Sequence, residues 1–325
     1  MEYQKLDFGE LKALAKKGDA KAQNSLGVCY AKGEGVRKNL VKAIEWYTKA
    51  AEQGLMRAQF NLAAHYYLGD GVEQDYVKAL EWYHKAAEQG DSWSKNDIAA
   101  CYYNGFGVEK DLKKAVKWWT KAAEQGYSVA QNNLGLCYIF GEGVKKNYKK
   151  AFDWFIKAAE QGYCEAQNNL ACCYERGDGV KKNYQEAFEL FTKAAEQGVA
   201  CSQFRLAKYY RKGRGVEQNH AKAAEWFQKA AEQGHGLAQF YLGVCFEEGS
   251  GVEKDDEKAA MWYIKAAEQG VVEAQFNIAM FYLFGRGVRK SQSQCLKWLS
   301  KAAEQGDEKA QYNLIKLRKC KPGSN

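Results

Sequence analysis

Proline is almost missing from this sequence. The 325 residues contain a single proline, Pro322, close to the end of the chain, against 31 glycines. Because proline interrupts helices, a chain without it upstream of residue 322 can be helical almost throughout. Glycine must then mark the ends of its structural elements.

Long apolar segments are also lacking. No stretch approaches the ~20 consecutive apolar residues that a membrane-spanning helix needs, which predicts no membrane insertion. The first residues, MEYQKLDFGELKALAKKG, have no apolar signal-peptide core, so we expect a cytoplasmic protein. The net charge of +8 suits an anionic partner, although solubility alone would also explain it.

The patterns that mark metal and catalytic sites are missing as well. The ten cysteines include no C-x2-C pair, and the four histidines form neither an HExxH motif nor a triad-like spacing. The glycine-rich segments lack the Lys-Ser/Thr of a phosphate-binding loop. We therefore predict that the protein is not an enzyme and has no metal or cofactor.

An internal repeat fills most of the chain. The string AAEQG recurs every 36 residues, and a GxGV string follows in the same register. Eight repeats therefore span residues 19–306, and we number positions in each from the residue after the AAEQG glycine. The closing glycines are Gly54, Gly90, Gly126, Gly162, Gly198, Gly234, Gly270 and Gly306.

Each repeat has the pattern of two helices joined by a loop. Positions 4, 8 and 12 are Ala, Leu or Ile, and an aromatic residue, which puts them on one face of a helix A over positions 2–14. Position 9 is Gly or Ala, which permits close approach of another helix. Asp or Asn at position 21 suits the N-cap of a helix B, whose apolar positions are 25, 28, 29 and 32.

The two ends of the chain differ from the repeats between them. Within residues 1–18, residues 6–17 match the pattern of helix B alone, and residues 307–320 match that of helix A with extra basic residues. We predict that these segments form capping helices, and that residues 321–325 are disordered.

The combined GxGV, KA and AAEQG signature resembles the Sel-1-like repeat family, a relative of the tetratricopeptide repeats. The resemblance implies an all-α fold, a right-handed superhelical α/α solenoid of antiparallel helix pairs with helix A on its concave face. It also implies a protein–protein interaction scaffold or adaptor, without family-wide catalytic residues. Cysteine-rich members link the two helices by a disulfide, but here their first cysteine position is alanine in every repeat.

The resemblance to tetratricopeptide domains places positions 3, 6, 10, 13 and 14 of helix A in a peptide-binding groove. Asn at position 6 can pair with a peptide backbone, and the basic residues of repeat 6 can hold an acidic segment. We therefore predict a protein or peptide partner with an acidic segment, lying across repeats 3 to 7. The predicted groove residues are Asn96, Asn132, Asn168, Arg176, Phe204, Arg205, Lys208, Lys212, Phe240 and Phe276.

Other interpretations of the same patterns stay open. The basic residues can form an ordinary solvated surface, and the chain can be a structural or regulatory spacer that binds through its convex face. Nucleic-acid readout is not expected, because position 35 is Gln in every repeat and an unvarying residue cannot encode different bases. The cysteines at position 11 and the tryptophans at position 28 are interpreted as packing residues, and all ten thiols are expected to be reduced.

Overall fold

The structure is a computed structural model that describes residues 6–319, with side chains described as far as Leu317. Over that range the chain forms eighteen α-helices and no strand. The chain divides into two compact units, Met1–Tyr163 and Cys164–Asn325, called here the N-terminal half and the C-terminal half. The first residues of the predicted cap 1–18, the last residue of the predicted cap 307–320 and the predicted disordered tail 321–325 lie outside the described residues.

The N-terminal half begins with a short helix in the predicted cap and continues with four helix pairs. Its helices are α1 (Phe8–Lys16), α2 (Ala20–Lys32), α3 (Leu40–Glu52), α4 (Met56–Leu68), α5 (Tyr76–Glu88), α6 (Ser92–Asn104), α7 (Leu112–Glu124), α8 (Ser128–Phe140) and α9 (Tyr148–Glu160). Each helix packs on the next along the chain, in the manner of a solenoid.

The C-terminal half has the same arrangement and ends with a single helix. Its helices are α10 (Cys164–Arg176), α11 (Tyr184–Glu196), α12 (Ala200–Lys212), α13 (His220–Glu232), α14 (Gly236–Glu248), α15 (Asp256–Glu268), α16 (Val272–Phe284), α17 (Gln292–Glu304) and α18 (Glu308–Lys319). The all-helical solenoid predicted from the repeat is therefore confirmed, and helix A occupies positions 2–14 as predicted.

The predicted capping residues act at the predicted helix ends. At the start of helix B, the side chains of Asn39, Asp75, Asp111 and Asn147 accept a hydrogen bond from the backbone N–H three residues later, at 2.9–3.0 Å. Helix A ends at a glycine in the left-handed conformation, such as Gly141 with a φ of 77°. A residue with a side chain is strained there, so glycine is required.

The core lies between helix A and helix B of each repeat. The alanine at position 4 and the aromatic ring at position 29 are buried in repeat after repeat, as at Ala130 and Phe155. Position 9 must be small because a Cβ added to Gly135 would lie 2.5 Å from Cε1 of Phe155. The prediction of close helix approach at this position is confirmed.

A glutamine ladder explains the Gln at position 35, for which the sequence suggested no structural role. In repeat 6, Nε2 of Gln233 at position 35 donates to Oε1 of Gln203 at position 5, at 2.7 Å. Nε2 of Gln203 then donates to the carbonyl oxygen of Ala195, at the end of the preceding helix B, at 3.1 Å. The ladder ties α12 to α11, the helix B before it, and to α13, its own helix B. It recurs at Gln23–Gln53, Gln59–Gln89, Gln131–Gln161, Gln167–Gln197, Gln239–Gln269 and Gln275–Gln305.

Repeat 3 keeps this connection with a different residue. Position 5 is Lys95, whose Nζ donates to Oε1 of Gln125 at 2.8 Å and to the carbonyl oxygen of Gly90 at 3.2 Å. The Gln125 amide presents its Oε1 to Lys95, and its Nε2 donates to the Gly90 carbonyl oxygen at 3.1 Å. A cation can therefore replace the inner glutamine, because both of its contacts in this repeat are oxygen acceptors.

The position 11 cysteines pack as predicted. Four are buried and Cys29 is half-buried, and all nine cysteines in the described part of the chain are free thiols. Burial raises the pKa of Cys101 and Cys137 to about 12, so these thiols are protonated and unreactive near neutral pH. The four buried position 11 thiols are those of Cys101, Cys137, Cys173 and Cys245.

The position 28 tryptophans are only partly core residues. Trp262 and Trp298 are buried, as predicted, but the other five remain partly exposed. The lysine three residues later lies over the indole ring, at 3.8 Å between Lys85 Nζ and the Trp82 ring centroid. The ring therefore packs one face on the core and presents the other to a cation, because helix B lies at the surface of the solenoid.

Candidate functional site

A compact cluster of cations on α12 forms the candidate site in the C-terminal half. Four basic side chains surround a cavity of about 100 Å³ together with one carboxylate and two aromatic residues. We call this site the basic pocket, lined by Glu175, Phe204, Arg205, Lys208, Tyr209, Lys212 and Arg214. The predicted residues Phe204, Arg205, Lys208 and Lys212 are thus brought together.

One cation of the basic pocket is already paired. Nη1 of Arg205 lies 2.6 Å from Oε2 of Glu175, which comes from α10 in the preceding repeat. The two side chains are 31% and 18% exposed, so solvent screens the ion pair only in part. With four cations and one carboxylate, the pocket keeps a net excess of positive charge.

Lys208 shows the effect of this crowding. Burial lowers the pKa of its ammonium group, and the neighbouring charges of Lys212 and Arg205 lower it further. Like charges held this close repel one another, so an anion that enters the pocket relieves the repulsion.

The basic pocket also contains a buried hydroxyl beside its one carboxylate. The side chain of Tyr209 is buried next to Glu175, which is already paired with Arg205. Burial, followed by the charge of Glu175 and a hydrogen bond to it, raises the pKa of Tyr209, so the phenol keeps its proton. The carboxylate is therefore engaged by two side chains of the pocket itself, and the other cations remain open to an anion.

The other predicted residues of the C-terminal half lie outside the basic pocket. Arg176 is exposed, 3.9 Å from Asp178. Phe240 and Phe276 are partly buried against the core. Asn168 accepts a hydrogen bond from the Ser202 hydroxyl at 2.9 Å, so its amide is engaged within the solenoid.

In the N-terminal half, Asn96 and Asn132 are buried, with only 9% and 4% of their surfaces exposed. Oδ1 of Asn96 accepts hydrogen bonds from Nε1 of Trp119 at 3.1 Å and from Nδ2 of Asn133 at 3.3 Å. The side chain of Asn96 at position 6 therefore contacts its own helix B and the next helix A, and does not lie only in the predicted groove. Binding of a peptide backbone by these amides stays a prediction.

A larger concavity lies between α1 and the helix A residues of the first three repeats. Its volume is about 680 Å³, and Phe8, Asn24, Lys32, Arg57 and Trp93 are among its lining residues. Asn61 Nδ2 donates to Asn24 Oδ1 at 2.9 Å on its wall, and Arg57 lies over the Trp93 ring at 4.9 Å. Helix A side chains therefore line an open surface in this half too.

Sequence reasoning missed Glu175 and Tyr209 in the basic pocket. Glu175 stands at position 13 of repeat 5 and contacts position 7 of repeat 6, which is 30 residues later. The same separation of 30 residues joins the two glutamines of each ladder step. The 30-residue separation between position 13 of one repeat and position 7 of the next could therefore have predicted this ion pair from the sequence.

No group of three or more His, Cys, Asp or Glu side chains among the described residues could hold a metal ion. Within the same range, no helix is both long and apolar enough to cross a membrane.

Comparisons with known proteins agree with this architecture. The Sel1 repeat model matches the chain eight times, at residues 20–55, 57–91, 94–127, 128–163, 164–199, 202–235, 236–271 and 272–307. A comparison with curated proteins gives no match.

Two solved structures are similar over nearly the whole chain. A protective antigen present in uropathogenic Escherichia coli strains, displaying an SLR fold, has 40% sequence identity and a TM-score of 0.86, over 96% of this chain and 68% of that one. A Sel1 repeat protein from Oxalobacter formigenes has 34% identity and a TM-score of 0.72, over 95% of this chain and 90% of that one. The chain therefore belongs to the Sel1 repeat family, whose helical solenoids are generally non-catalytic scaffolds typical of protein–protein interaction.

Proposed function

We propose that this protein is a non-enzymatic scaffold that binds an acidic segment of a partner protein along the helix A surface. The observation that supports the proposal is the basic pocket, in which four cations surround one carboxylate that is already paired with Arg205. The proposal includes the other predicted groove residues only as flanking contacts. The cytoplasmic location and the capping role of the terminal segments remain predictions.

A carboxylate-bearing side chain fits the chemistry of the basic pocket. Lys208 and Lys212 offer rotatable ammonium donors, and the planar guanidinium of Arg214 can bind a carboxylate through two hydrogen bonds. Arg205 is oriented by Glu175 and covers the ring of Phe191 at 5.6 Å, so it is held in place before a ligand arrives. A held donor loses less conformational entropy on binding than a free one does.

The test starts with co-purification of partners under native conditions, followed by affinity measurements on the binding segment of the protein that is found. The R205A/K208A variant should bind at least about 10-fold more weakly, since a hydrogen bond to a charged group contributes about 1.5–3 kcal/mol. Binding should also weaken as salt concentration rises, because ionic contacts are screened.

Two further variants make the result specific. K208A/K212A leaves the Arg205–Glu175 ion pair intact and should also weaken binding, which separates ligand contact from loss of that pair. R289A/K290A removes one arginine and one lysine from an exposed loop in repeat 8 and serves as the matched control. If the two pocket variants and the control all bind like the parent at low salt, the groove assignment is wrong and the convex-face spacer is favoured.

A further inference from the structure

Repeat 3 has a carboxylate at a position that is usually neutral. Asp97 stands at position 7 on α6, where four other repeats have an asparagine: Asn61, Asn133, Asn169 and Asn277. It lines a cavity of about 250 Å³ in the N-terminal half. We call this cavity the Asp97 pocket, lined by Ala64, Tyr67, Leu68, Tyr83, Asp97 and Ala100.

The Asp97 carboxylate is partly buried without a cation beside it. None of the ion pairs formed within residues 6–317 includes Asp97. Its Oδ1 accepts a hydrogen bond from Nδ2 of Asn96 at 3.0 Å, and the hydroxyl of Tyr83 is a second hydrogen-bond partner. These two neutral donors satisfy only part of the carboxylate's hydrogen-bonding capacity and bring no positive charge. A carboxylate removed from water without a counter-ion is unfavourable, so a cation supplied by a ligand would be strongly favoured there.

The walls of the pocket suit a cation with an aliphatic stem. The rings of Tyr67 and Tyr83 lie beside the carboxylate, and an aromatic face attracts a cation through its quadrupole. Ala64 and Ala100 are small and apolar, and Leu68 at the rim is 66% exposed. The methylene groups of a ligand can therefore pack against these apolar side chains and remove apolar surface from water.

The geometry points to the lysine side chain of a protein partner as the occupant: we propose that the Asp97 pocket binds its ammonium group between Asp97 and the two tyrosine rings. Lysine fits better than arginine because Asn96 already occupies Oδ1, which hinders the two parallel bonds of a guanidinium. The proposal is independent of the proposed function, since it concerns a cation and a different half of the chain.

The titratable groups around Asp97 make the binding dependent on pH. Burial raises the pKa of Asp97 to about 6, with a smaller contribution from Asp91, while hydrogen bonds from Asn96 and Tyr83 oppose the rise. The groups that face it are Tyr67 on α4, Tyr83 on α5, Asp91 and Cys101 of repeat 3, and Tyr127 before α8. Burial raises the pKa of both pocket tyrosines, so they stay neutral and only Asp97 changes charge near pH 6.

The experiment is an NMR titration of the full chain with Nα-acetyl-lysine methylamide, with the uncharged norleucine analogue as the matched ligand. At pH 7.5 the lysine probe should give saturable shifts at the amides of Tyr67, Asp97 and Ala100, and the norleucine probe should not. Binding should weaken at least about 5-fold at pH 5, where Asp97 is mostly protonated.

The variant D97N should lose at least about 10-fold in affinity and should fold normally, because asparagine is the usual residue at this position. E109Q removes the same charge from an exposed loop of repeat 3 and should bind like the parent. Three results would overturn the proposal: unchanged binding by D97N, equal shifts with norleucine, or no saturable shift up to about 50 mM probe, which detects millimolar affinity. None of them bears on the basic pocket.

Discussion

Replacing Gln203 by leucine tests whether the glutamine ladder holds neighbouring repeats together. The side chain is 5% exposed, and leucine has a similar size, so the change removes two hydrogen bonds while leaving little empty space. One lost bond is the 3.1 Å donation to the Ala195 carbonyl, and the other is the 2.7 Å acceptance from Gln233. The first bond joins α12 to α11, and the second joins α12 to the end of α13.

The magnitude follows from what each partner does after the change. The Ala195 carbonyl keeps its bond from the Gly198 N–H at 3.0 Å, and the exposed Gln233 amide turns to water. No buried group is stranded, so the cost is that of two neutral hydrogen bonds, about 2 kcal/mol in the free energy of unfolding. Urea unfolding followed by circular dichroism measures it, with the helix content of the folded state as a check.

Two control variants locate the effect. Q233A removes only the outer, exposed member of the ladder. Water at that exposed edge can replace its donation to Oε1 of Gln203, so the change should cost no more than about 1 kcal/mol. K95Q gives repeat 3 the usual inner glutamine and should be neutral or stabilising by up to about 1 kcal/mol, because burial lowers the pKa of Lys95 and so disfavours its charge. If Q203L loses less than about 0.5 kcal/mol, or Q233A loses as much as Q203L, the ladder does not contribute as argued.

Two remaining predictions concern the loops and the thiols. G143A should destabilise the fold by about 2 kcal/mol or more, because its Cβ would collide with the Leu112 backbone. In G126A the added Cβ meets nothing within 4 Å, so this variant should cost only about 1 kcal/mol for its positive φ. Similar losses for the two variants in thermal unfolding would contradict this reasoning. All ten cysteines should be alkylated after unfolding without reduction, and the exposed Cys201 should react in the folded protein before the buried Cys101, Cys137, Cys173 and Cys245; mass spectrometry that finds a reproducible intrachain disulfide would refute the expectation of reduced thiols.

The sequence predicted the features that depend on a single repeat. Helix bounds, the caps at Asp75 and Asn147, and the small residue opposite Phe155 follow from periodicity and from local backbone chemistry. These features join residues that are close in the sequence, and the repeat presents their pattern eight times. A substitution in one repeat therefore does not hide the pattern.

Contacts between neighbouring repeats were harder to predict. The resemblance placed position 6 in the groove, but Asn96 also accepts a hydrogen bond from Trp119 on the helix that follows. The Arg205–Glu175 pair and the two-step glutamine ladder need a separation of 30 residues, which is shorter than the repeat itself. A period of 36 residues indicates which positions are equivalent in different repeats. It does not indicate which side chains are in contact, because the contacts depend on how successive helices are stacked.

The spacing of the glutamine ladder has an evolutionary consequence. Where both members are glutamines, a step joins residues that are 30 or 8 apart, so a donor finds its acceptor within its own repeat or at the end of the one before. A tandem duplication of 36 residues anywhere in the array therefore creates a new step that is already complete on both sides, and a deletion of 36 residues closes in the same way. The length of the array can change in one genetic event without a compensating substitution, and the helix A surface lengthens or shortens by one repeat.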